Sequence, residues 1–294
     1  MALRDFGLLV IICLIWALNT IVSRIVVADW AVPPLFYAAC RFAVVALATL
    51  PWLLPAPRPT WRMVVIGLLI GFGSFGLMFV GLKTTTPSQA AVIVQLGVPM
   101  TTLLSVAMLG ETIRWRRGLG IALAFAGVMI VMWDPAGLHM SFGLWLVALS
   151  AFMGALGTVM MKQVTDVQPL QLQAWVGFVS VWPLLAMTLL METDQAEHAL
   201  RVGWPLAAAV LFSALVVSVV GHTRFFGLLQ RYDANLIAPL TLMTPLATIG
   251  LGIAITGDAF TMRMAVGAAL ALLGVLIIAL RRNHVAPLLP WIKW

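Results

Sequence analysis

Polar residues arrive along this chain in short bursts, and between the bursts lie long apolar runs. Ten such runs are legible, at 8–28, 34–54, 63–82, 88–109, 118–133, 143–162, 170–191, 204–229, 234–256 and 264–281. A helix needs about 20 apolar residues to cross the hydrocarbon core. A strand of a membrane barrel would instead alternate in polarity over about ten residues. These runs are continuously apolar, so the pattern predicts an all-α membrane protein with ten transmembrane helices. The first run follows Arg4 as a signal peptide might, but Arg24 stands where a cleavage region is small and neutral, so it is read as a retained helix.

The pattern repeats. Pro99, Gly110, Gly120 and Gly127 return as Pro245, Gly257, Gly267 and Gly274, at an offset of 146 residues that becomes 147 from the first glycine onward. Phe79, Gly81 and Leu82 likewise return as Phe225, Gly227 and Leu228. This divides the chain into a first five-helix repeat at 1–136, a second at 137–283 and a tail at 284–294. Five is odd, so the second repeat enters the membrane upside down relative to the first. Inverted repeats are characteristic of secondary transporters, whose sites lie near the midplane between the halves.

Charge then orients the bundle. With the N-terminus inside, eleven lysines and arginines fall in cytoplasmic segments (Arg4, Arg58, Arg62, Arg114, Arg116, Arg117, Lys162, Arg231, Arg281, Arg282 and Lys293), against three outside (Lys83, Arg201 and Arg263). The positive-inside rule therefore puts both termini in the cytoplasm. Composition agrees with a membrane protein: 63% of residues are hydrophobic and 9% charged, and the mean hydropathy is +1.08. The formal charge of +7 is spent at run ends, where it sets topology, and does not indicate nucleic acid. Cys13 and Cys40 both lie inside apolar runs, which suggests neither a disulfide nor a metal site, and no cofactor is implied.

In each half a small polar stretch leads through a mid-helix proline to Gly-Glu or Gly-Asp, a basic turn and a G-x6-G-V segment. The first copy reads Ser88-Gln89-Ala90-Ala91, Pro99, Gly110-Glu111 and Gly120 to Gly127-Val128. The second reads Asp233-Ala234-Asn235, Pro245, Gly257-Asp258 and Gly267 to Gly274-Val275. This resembles the EamA repeat of the drug/metabolite transporter superfamily over nearly the whole chain, and it is similar to the aromatic amino-acid exporters within that superfamily. Trp16 and Asn19 fit the family's first span. The resemblance implies a ten-helix inner-membrane fold with a central cavity, lined by spans 1, 3, 4, 6, 8 and 9 with 5 and 10 behind them, and export of small metabolites.

All ten acidic residues fall in loops or at run ends. A membrane-embedded carboxylate is a usual proton relay or cation anchor, so cationic drugs are disfavoured and carboxylate-based proton exchange is unsupported. The candidate substrate-binding residues are Trp16, Asn19, Ser23, Phe75, Phe79, Gln95, His222, Phe225 and Thr241, with Pro99 and Pro245 as hinges. Asn19 and Ser23 share a helix face. Phe72, Phe75 and Phe79 form an aromatic stripe that suits an apolar or aromatic solute. Gln95 and Thr241 each precede a proline that frees backbone carbonyls. His222 is the one histidine inside a run. Tyr37 and Arg41 repeat the four-residue spacing on the second run; Arg41 can meet a carboxylate or phosphate ligand or helix-end carbonyls, and structural pairing is preferred. Gly120, Ala124 and Gly127 with Gly267, Ala271 and Gly274 are small residues for close helix packing.

These residues point to an inner-membrane secondary transporter, not an enzyme, that exports aromatic or bulky neutral amino acids by alternating access. A permease for another organic solute, such as a nucleoside, phosphorylated sugar or drug, is the alternative. An intramembrane hydrolase is disfavoured by the absence of HExxH and GxSxG. The partners are a small-molecule substrate and the lipid bilayer; monomer and homodimer both stay open.

Overall fold

The computed structural model describes all residues except 111–114, 134–140, 162, 165–166, 233–236, 238–239 and 280–294. Glu111, Arg114, Asp134, His139, Lys162, Asp166, Asp233, Ala234, Asn235 and the basic tail with Arg281, Arg282, Trp291, Lys293 and Trp294 therefore lie outside the described residues, as does the start of the ninth run.

The described residues form ten apolar helices: α1 (Leu3–Asp29), α2 (Pro34–Trp52), α3 (Thr60–Leu82), α4 (Pro87–Leu109), α5 (Trp115–Met132), α6 (Phe142–Met161), α7 (Pro169–Met191), α8 (Trp204–Phe225), α9 (Met243–Thr256) and α10 (Met262–Ala279). Nine are long enough to span a bilayer and α9 is shorter. The protein is an all-α, multi-pass membrane protein.

Local chemistry sets the helix ends. Prolines open α2, α4, α7 and α8 within their first two residues, where the missing N–H is not needed. Thr86 and Gln89 form a reciprocal capping box at the start of α4, so Gln89 serves the helix end. The repeat-matched Gly110 and Gly257 end α4 and α9 in the left-handed conformation, at φ 68° and 65°, a region where a Cβ is strained.

Some boundaries differ from the sequence expectation. Helix α1 begins at Leu3, not residue 8, because Asp5 sits in its first turn and accepts a 2.6 Å hydrogen bond from the Tyr232 hydroxyl. The α8 helix continues to Arg231. A short helix, Gln195–Val202, occupies what reads as a loop, anchored by Ala199 and Val202 against the core.

Packing follows the repeat. Helix α2 lies on α7 and α5 on α10, each a helix with its own counterpart. The α1–α9 and α1–α8 contacts match those of α6–α4 and α6–α3, so the arrangement maps onto itself when the halves are exchanged. The α5–α10 seam is the tightest. A Cβ on Gly120 would stand 2.8 Å from the Gly274 carbonyl oxygen, and one on Gly267 would stand 2.7 Å from that of Gly127. Such distances have no room for a methyl group, so the small-residue series is structural, as its spacing indicates.

Both proline helices break in matched places. Helix α4 passes through a 3-10 turn at Val94–Leu96, then restarts at Gly97 with Pro99 as its third residue. The corresponding turn falls at Thr241–Leu242, and the helix restarts at Met243 with Pro245 third. The break thus precedes each proline, and Gln95 and Thr241 lie within the turns.

Candidate functional site

The interior of the bundle carries a polar cluster drawn from both halves. At its centre is Arg41 of α2, which is 0% exposed. Its Nε and Nη2 donate to the Ser218 hydroxyl of α8 at 3.3 and 2.9 Å. Ser218 in turn donates to the Ser213 carbonyl at 3.1 Å, five residues back. That spacing belongs to the π-helical stretch Phe212–His222, a local widening common at functional positions. The guanidinium carbon lies 4.3 Å from the Phe75 ring centre and 5.7 Å from those of Phe42 and Phe79. Phe79 packs on Phe75 and Tyr37, with centroids 6.1 and 5.0 Å away.

Four residues beyond Ser218, the His222 Nδ1 meets the Gln173 amide of α7 at 3.0 Å. Trp16 of α1 packs on His222 and Phe225 with centroids at 5.3 and 5.0 Å. Below Trp16 and Phe225, Leu9, Ile12, Cys13, Leu228 and Ile237 seal the apolar floor.

Several polar atoms on α1 and α2 are unmet. Trp16 Nε1, Asn19 Oδ1, Ser23 Oγ, Tyr37 Oη and Arg41 Nη1 are all buried and lack a hydrogen-bond partner among the described residues. Leaving a buried polar atom unpaired costs about 1–3 kcal/mol. Five on two adjacent sequence helices form a demand for a ligand or water that provides hydrogen bonds.

Five sequence-predicted site residues meet here, Trp16, Phe75, Phe79, His222 and Phe225, and Asn19 and Ser23 lie buried on the same helix as Trp16. Two others lie apart. Gln95 opens onto a separate cavity of about 500 Å³ between α3, α4 and α6, with Ser74, Thr101, Thr102 and Thr158. Thr241 lies in the turn before α9, engaged in an interaction of its own. The sequence reading missed Gln173 and Ser218 and left Arg41 and Tyr37 outside the site. The four-residue spacing of Tyr37 and Arg41 was the signal for that pair; Gln173, a polar residue deep in an apolar run, was the signal for α7. Spans 2 and 7 thus contribute alongside spans 1, 3 and 8. The helix-end carbonyls anticipated for Arg41 are replaced by the Ser218 hydroxyl. The other two intramembrane arginines are engaged elsewhere. Arg24 pairs with Asp29 at 3.3 Å, and Arg224 lines a cavity of about 320 Å³ beside Arg231.

Comparison with known proteins follows from this fold. The profile of the EamA-like transporter family matches residues 6–133 and 141–280. The chain belongs to the EamA-like transporter family. Among relatives of this EamA-like protein, a "Probable amino-acid metabolite efflux pump" of Salmonella typhimurium is 27% identical over 94% of this chain and 95% of its own. The Escherichia coli protein of the same name is 25% identical over the same shares. An "Uncharacterized inner membrane transporter" of Escherichia coli is 26% identical over 86% of this chain and 83% of its own. A solved crystal structure shares the fold, with a TM-score of 0.63 at 20% identity over 93% of this chain and 94% of that one. The EamA-like protein is a membrane transporter of small molecules, not an enzyme.

Proposed function

We propose that this protein exports small amphipathic metabolites, aromatic or bulky neutral amino acids foremost, across the bacterial inner membrane by alternating access, with both termini in the cytoplasm. The carrying observation is the closed cluster itself: rings from Trp16, Phe75, Phe79 and Phe225 beside five buried, unpartnered polar atoms, contributed by helices of both halves. A rocking of one half against the other would open that cluster to each side in turn. The matched breaks before Pro99 and Pro245 are the natural hinges. The two relatives named as efflux pumps for amino-acid metabolites support the direction and the solute class. The eleven-to-three distribution of basic residues supports the orientation.

The test is efflux from liposomes loaded with a panel of labelled amino acids, with and without an imposed proton gradient. Phenylalanine, tryptophan and leucine should leave down their own gradients. Efflux of none of the panel, or of cationic drugs alone, would sink the reading.

A further inference from the structure

We propose that Arg41 is the residue that binds the carboxylate of the transported solute, which makes a single negative charge a requirement for recognition. The inference rests on reading the buried cluster as the transport site, and it adds a ligand class and an anchoring atom to that reading.

Arg41 is a fully buried guanidinium whose side-chain hydrogen bonds go to a neutral hydroxyl. The Arg24–Asp29 ion pair lies at the end of α1, away from Arg41 in sequence. A charge inside a membrane protein is costly, and such residues are retained where they pair or serve a ligand. A purely structural tie between α2 and α8 would not need it: a neutral amide could hold Ser218, and an apolar side chain of like volume would pack at less cost. The guanidinium is also pre-oriented. Ser218 occupies Nε and Nη2, and the Phe75 ring covers the plane at 4.3 Å. Nη1 is left buried and unpartnered among the described residues, and a carboxylate oxygen is the acceptor that would satisfy it with a short, charge-assisted bond.

Other buried polar groups on α1 and α2 suit the rest of the solute. Tyr37 is one turn from Arg41 on α2, and its hydroxyl is unpartnered. Asn19 Oδ1 and Ser23 Oγ, one turn apart on α1, are unpartnered acceptors that suit an ammonium group. Phe75 and Phe79 offer an apolar wall. Arg24 is paired at a helix end and Arg224 is exposed, so neither adds a second cation to the cluster. One arginine matches a single carboxylate; a phosphate ester, with more charge, would call for several.

The experiment measures binding to the purified full-length protein in lipid nanodiscs, using L-phenylalanine, L-phenylalaninamide, 3-phenylpropanoate and phenethylamine. Wild type should prefer each carboxylate ligand over its partner lacking the carboxylate by about ten- to a hundredfold, the range of a charge-assisted hydrogen bond. Arg41→Gln should bring acid and amide to within about twofold of each other, with binding of the amide retained. Arg41→Lys, which keeps the charge without the fork, should recover part of the preference and covers the case in which the glutamine variant does not fold. Equal wild-type affinity for acid and amide overturns the proposal while leaving the transport reading standing. If no amino acid binds but 3-phenylpropanoate does, in an Arg41-dependent way, the amino-acid reading fails and the carboxylate anchor survives. If no carboxylate binds, both fail.

Discussion

At the scale of single residues, a site built for a transient ligand should carry polar groups that weaken the empty protein. Tyr37 Oη and Ser23 Oγ are buried without partners among the described residues, so deleting either oxygen removes a desolvated, unpaired atom. Tyr37→Phe and Ser23→Ala should therefore leave the melting temperature of the detergent-purified protein unchanged or raised, while the apparent affinity for substrate falls several-fold. A drop in melting temperature would mean that these hydroxyls already have structural partners. Gln173 provides the contrast, because its amide already satisfies His222. Gln173→Ala should destabilise the protein, by about 1–3 kcal/mol for the orphaned ring nitrogen. The sequence makes Trp16, Asn19, Ser23 and His222 conspicuous because each is polar within an apolar run. Ser218 escapes notice because a lone serine in a helix is unremarkable until an arginine from 177 positions away lands on it.

Elements meet through carboxylates at one end of the bundle. Glu192, just past α7, accepts from the Leu35 and Phe36 N–H groups at the start of α2, both at 2.9 Å, and Thr188 donates to it at 2.7 Å. Asp258, just past α9, accepts from the Ser88 N–H at the start of α4, also at 2.9 Å. Each carboxylate comes from the second half and caps a helix of the first, where orphan N–H groups and the helix dipole favour negative charge. These two contacts tie the two halves together at that end of the molecule. Glu192→Gln together with Asp258→Asn keeps the shape and removes the charge. The pair of changes should loosen that end, which single-cysteine accessibility beside Leu35 and Ser88 would register as faster labelling; unchanged labelling would exclude a latch. The reason for an acidic residue after each helix cannot be read from a single chain: Asp258 follows the glycine motif in sequence, but its target lies 170 residues away. The α5–α10 seam was legible because it depends on residue size alone, and glycine and alanine at four- and three-residue spacing declare a close approach directly.

At the scale of the whole molecule, the apolar helices could be read from the chain because hydrocarbon imposes a long apolar run on every spanning segment. Which helix faces which could not. Lipid and protein interior are equally apolar, so the helices lack the polar outer face that orients a helix in a soluble protein. That is why α2 and α7 were not anticipated as site helices, although they hold Arg41 and Gln173. The orientation of the halves is open to a direct measurement. Arg116 stands exposed at the start of α5, and Glu197 stands exposed between α7 and α8. Three helices, α5, α6 and α7, separate them, so the two positions must lie on opposite faces if each helix crosses. In a background lacking Cys13 and Cys40, Arg116→Cys should react with impermeant reagents only from the cytoplasmic side, and Glu197→Cys only from the other. The basic cluster at Arg116 and Arg117 assigns the sides. Labelling of both from one side would require that one of the three helices fails to cross. The halves would then lose their opposite orientation, and with it the symmetry on which alternating access depends.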